Sequence, residues 1–61
     1  MNENLLKARD CIDFVVNDLR NAMSSSSAIE AIILLQLIRD AVKIQQDLFS
    51  FIDAKKHEQA Q

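Results

Sequence analysis

The chain contains no glycine and no proline. Tight hairpin turns and strand edges rely on those residues, whereas long helices need neither. Tryptophan and tyrosine are absent as well, so three phenylalanines are the whole aromatic complement. A single cysteine cannot form an internal disulfide, and a single histidine offers no cluster of the kind that structural zinc demands. No apolar run approaches the ~20 residues that cross a bilayer. The opening MNENLLKARD is interrupted by charge where a signal peptide needs an unbroken apolar stretch. Nor is there an excess of basic charge: nine acidic against seven basic side chains leave −2. That balance disfavours nucleic acid or an anionic membrane as partner. One unpaired thiol suits a reducing compartment, so the expected location is cytoplasmic.

What the chain does have is aliphatic. Hydrophobic residues make up 49% of it, too many for a disordered segment. Sixty-one residues allow one domain. With turn formers missing, the expected fold is all-α: a two-helix antiparallel hairpin. Helix 1 is expected over about 3–23, a Ser-rich connection over 24–27, helix 2 over about 28–55, and a polar, frayed tail over 56–61. Asn2 or Asn4 is the expected N-cap of helix 1. Ser27 and Glu30 have the spacing of a capping box at the start of helix 2.

The densest stretch is Ala28 to Ile38, in which every residue except Glu30 and Gln36 is Ala, Ile or Leu. These point all round a helix, so one neighbour cannot cover them. In helix 1, Leu5, Ile12 and Leu19 take one heptad position and Ala8, Val15 and Ala22 the other, with Val16 and Met23 widening the stripe. In helix 2, Leu34, Ala41 and Leu48 alternate with Leu37, Ile44 and Phe51, and a second stripe holds Ala31, Leu35, Ile38, Val42 and Phe49. Chains this short rarely bury enough surface to fold alone. Dimerisation into a four-helix bundle is therefore expected, with Ile32, Leu34, Leu35, Leu37, Ile38, Ala41, Val42, Ile44 and Leu48 as the dimer core. Extending the helix 1 register through the serines would instead bury Asp40 and Asp47, which argues against one unbroken helix.

Chemistry-bearing residues are sparse. Cys11 has no neighbour to activate it. Asp53 and His57, one turn apart, supply two ligands where a structural site needs four. There is no Gly-rich loop, no Ser/His/Asp set and no inward Glu-x-x-His pair. The expectation is a protein that is not an enzyme and takes no cofactor, metal or small-molecule substrate. Contact residues are then the question. Helix 2 is expected to overhang helix 1, which would leave Phe49, Phe51 and Ile52 at the bundle end. Phe14 projects away from the stripe and Leu6 lies off it, so both are further candidates for binding a partner. Gln36, Arg39 and Lys43 form the only local basic ridge.

Length, acidic balance, a dimerising hairpin and an outward Phe on helix 1 resemble the plasmid copy-number RNA modulator (Rop) fold. The resemblance implies RNA binding around that Phe, where the family carries amide and basic residues. Here Asp10 and Asp18 stand one turn either side of Phe14 and would repel phosphate. The leading expectation is therefore a homodimeric protein-binding module, a regulator, inhibitor or adaptor of an unidentified protein. The alternatives are a Rop-like RNA-binding hairpin and a subunit or co-chaperone of a hetero-oligomeric helical assembly.

Overall fold

A computed structural model describes residues 3–59. It is all-helical: α1 spans Glu3–Ser24 and α2 spans Ala28–Gln59, packed against each other as a hairpin. Asp13 beside Gln45, and Arg9 beside Phe49 and Ile52, fix the two helices as antiparallel.

The reversal is made without glycine, and no described residue has positive φ. The left-handed cap that usually ends a helix is therefore not used. Serine hydroxyls do that work. Ser24 Oγ donates to the Asn21 carbonyl at 2.7 Å, and the Ser25 and Ser26 hydroxyls both donate to the Ala22 carbonyl. The Ser25 and Ser26 N–H groups add tight bonds to Ala22 and Met23. Carbonyls that a helix end leaves without partners are thus satisfied within the connection.

α2 then starts on the capping box. The Glu30 N–H donates to Ser27 Oγ at 3.3 Å, and the Ser27 hydroxyl and N–H donate to Glu30 Oε1 at 2.8 and 3.4 Å. Ser27→Ala should destabilise the fold by about 1 kcal/mol in chemical denaturation. Ser24→Ala should change it less, because it removes a single exposed hydroxyl bond to the Asn21 carbonyl.

Three boundaries differ from expectation. Asn4 lies inside the first turn of α1 and not before it, and Asn2 falls outside the described residues. Ser24 is the last residue of α1. The stretch 56–59, expected in the tail, continues α2, where Lys56 and His57 suit the negative end of the helix dipole; residues 60–61 lie outside the described range.

The seam between the helices is built from rows alternating by three and four residues. On α1 these are Leu5, Arg9, Ile12, Val16, Leu19 and Met23; on α2 they are Ala31, Leu34, Ile38, Ala41, Gln45, Leu48 and Ile52. Val16, Ile38, Ala41 and Ile52 are its buried members. Two expected positions are thereby corrected. Ala8, Val15 and Ala22 are exposed, and Val16 and Met23 take the second seam position of α1. Leu37, Ile44 and Phe51 are likewise exposed, and Ile38, Gln45 and Ile52 stand in the seam instead. The displaced rows sit immediately beside the seam, about one helical step round from it.

Candidate interaction surfaces

Two flanks run along the hairpin, one on each side of the seam. On α1, Ala8, Val15 and Ala22 precede the seam in rotation, and Leu6 and Asp13 follow it. Because α2 runs the opposite way, its rotation is reversed. Ile33, Leu37, Ile44 and Phe51 therefore share the side of Ala8, Val15 and Ala22, which is called flank A below. Leu35, Val42 and Phe49 share the side of Leu6 and Asp13, called flank B. The crevice lined by Arg9, Phe49, Ile52, Asp53 and Lys56 lies on flank B, as the rotation requires.

Flank A is apolar along its middle, between Glu30 near the connection and Lys55 at the other end. Leu37, Ile44 and Phe51 are 47%, 56% and 48% exposed, with Ile33 and Val15 beside them. Lys55 Nζ lies 5.7 Å from the centroid of the Phe51 ring and closes one end of the row with a cation–π contact. Flank B is mixed. Leu35 and Phe49 are exposed on it, and beside them the half-buried Asp13 accepts a hydrogen bond from the Gln45 side-chain amide. This polar pair ties the middle of α1 to the middle of α2 and fixes their register, as a buried polar residue does in a coiled coil.

The residues expected to form the dimer core fall into three groups. Leu34, Ile38, Ala41 and Leu48 belong to the seam inside one chain. Leu37 and Ile44 lie on flank A. Leu35 and Val42 lie on flank B, with Ile32 exposed further round the same side.

The candidate partner-binding residues also separate. Ile52 is only 3% exposed, so it is core. The expected overhang does not reach it, because the first residues of α1 run alongside that part of α2 and Arg9 lines the same crevice. Phe49 is left exposed on flank B and Phe51 on flank A. Leu6 is half-buried on flank B. Phe14, at 69% exposure, stands on the back of α1, facing away from α2. No single patch unites these side chains.

The polar ridge is not a free basic surface. Lys43 Nζ pairs with Asp47 at 3.2 Å, and the shallow crevice at Gln36 and Arg39 is completed by Asp40. A phosphate approaching Arg39 meets the Asp40 carboxylate beside it, and Lys43 is already paired with Asp47. His57 Nε2 lies 3.6 Å from Asp53 Oδ2 in open solvent, where such a pair contributes little. Among the described residues no group of three or more His, Cys, Asp or Glu side chains is placed to hold a metal, and no helix is long and apolar enough to cross a membrane. Cys11 is exposed near the outer edge of flank A.

Sequence reasoning missed Arg9, Gln45 and Ile52 as seam residues. The signal was present in the unbroken alternation of three and four from Ala31 to Ile52, with Gln45 as its one polar member. Comparison with known proteins finds no matching family model, no matching curated protein and no matching solved structure. The likeness to the Rop-type hairpin thus rests on architecture alone.

Proposed function

We propose that this chain is a small, non-enzymatic interaction protein of the cytoplasm. A helical hairpin pairs with a second copy into a four-helix bundle, and its remaining surface engages a partner protein as a regulator, inhibitor or adaptor. One observation carries this reading. The hairpin exposes 4767 Å², whereas a compact monomer of its mass exposes about 4,000 Å². The surplus is about 800 Å², the share that one partner contributes to an ordinary stable interface. Large exposed side chains such as Leu37, Ile44 and Phe51 contribute to that surface. Exposed apolar side chains gathered on one face mark association sites in small proteins.

The paired carboxylates around the basic ridge and beside Phe14 favour a protein over an RNA partner. The reading is tested by placing a photo-crosslinking phenylalanine analogue at Phe14 or Phe49 in the native host. A discrete adduct with another protein, unchanged by nuclease, is expected from at least one site. A nuclease-sensitive adduct, or none from either site, would overturn it.

A further inference from the structure

We propose that flank A is the face on which the second copy sits, and that flank B stays open; the assignment rests on the pairing reading above. Three observations carry it.

The first is register. In a four-helix bundle each helix needs two apolar rows side by side, one towards its own hairpin partner and one towards the other hairpin. On α1 the row next to the seam on the flank A side is Ala8, Val15 and Ala22; on α2 it is Leu37, Ile44 and Phe51, with the exposed Glu30 at the end near the connection, where its carboxylate stays in water. Both helices therefore turn their second row to the same side. On flank B the corresponding α1 positions are Leu6, Asp13 and Arg20, and a partner there would have to strip water from the last two.

The second is shape. The α1 row on flank A is small and the α2 row is large, so a two-fold axis running along the bundle sets the small row of one copy against the large row of the other. That alternation lets layers interdigitate without voids. Asp13 and Gln45, which satisfy each other along the flank B edge of the seam, are left undisturbed.

The third is proportion. The hairpin measures 50 × 15 × 12 Å with a radius of gyration of 14.6 Å. A compact chain of its length has about 10.5 Å, and one of twice that length about 13.7 Å. Stacking a second copy on flank A roughly doubles the 12–15 Å cross-section without lengthening the body.

Mass in solution decides. The unmodified full chain is expected near 13.8 kDa, twice 6.9 kDa, by sedimentation equilibrium. Ile44→Glu places a carboxylate in the proposed interface and should raise the dissociation constant roughly 100-fold or more, while Leu35→Glu on flank B leaves it within a few-fold. Should the Ile44→Glu chain fail to fold, thiol footprinting gives the answer with milder changes. In a Cys11→Ser background, Ile44→Cys should be alkylated roughly tenfold more slowly at high than at low protein concentration, and Leu35→Cys at an unchanged rate. Dissociation by Leu35→Glu alone, or protection at Leu35→Cys alone, overturns the face assignment and leaves pairing intact. A folded 6.9 kDa wild-type chain at high concentration overturns pairing itself, and the assignment with it.

Discussion

A chain carrying Ile38→Asp should show no helical circular dichroism at any concentration. Ile38 is 6% exposed at the middle of the seam, with Ala41 and Leu34 one turn either side. No basic side chain stands in the seam near it. An unpaired carboxylate there must be buried charged or protonated, and either course costs several kcal/mol. A domain of this size has only about 3–5 kcal/mol to lose. Most helical stability in proteins comes from packing of an amphipathic face, so the separated segments would not keep their structure. The control is Ile29→Asp. Ile29 is 75% exposed in the first turn of α2, where an acidic side chain also suits the positive helix end. That change should leave helicity and melting nearly untouched. A folded Ile38→Asp chain would mean that the α1–α2 seam is not what holds the hairpin together.

The second large effect is on melting. If folding and pairing are one equilibrium, the melting temperature must depend on protein concentration. At ~0.7 kcal/mol per residue, unfolding of a paired body takes about 85 kcal per mole of dimer. Mass action then lowers the midpoint by about 12 °C for each hundredfold dilution. A hairpin stable by itself would melt at one temperature throughout. Calorimetry or circular dichroism at two concentrations a hundredfold apart separates the two outcomes.

The elements were legible because they rest on local chemistry. The lack of glycine and proline excludes most alternatives to helix, and Ser27 with Glu30 marks the start of α2 by a hydrogen-bond pattern that needs no tertiary context. The seam was harder. On each helix three adjacent rows compete for it, and an apolar count prefers Leu37, Ile44 and Phe51 to a row interrupted by Gln45. What decides is a long-range pair, Gln45 with Asp13, and no single-helix pattern contains it. Arg9 misleads in the same way, since a charged side chain can keep its head in water while its stem lies at the seam. The error over Ile52 came from measuring α1 and α2 from the connection as if both began level with it. The side-by-side placement of Arg9 and Ile52 shows instead that α1 reaches the FSFI segment. The exposure of Phe14 followed from its angle on the helix alone, and the structure places it as the pattern does. The face that a partner would use was not legible, because apolar rows differ mainly in shape, and shape appears only when two helices are set side by side.

We propose that this hairpin is half of a folded body. Sedimentation equilibrium of the unmodified chain, from low micromolar to millimolar concentration, tests it most directly when helical content is followed on the same samples. The account predicts a weight-average mass that climbs to about 13.8 kDa, twice 6.9 kDa, with helicity rising alongside it. A species of 6.9 kDa that is fully helical across the whole range would contradict it.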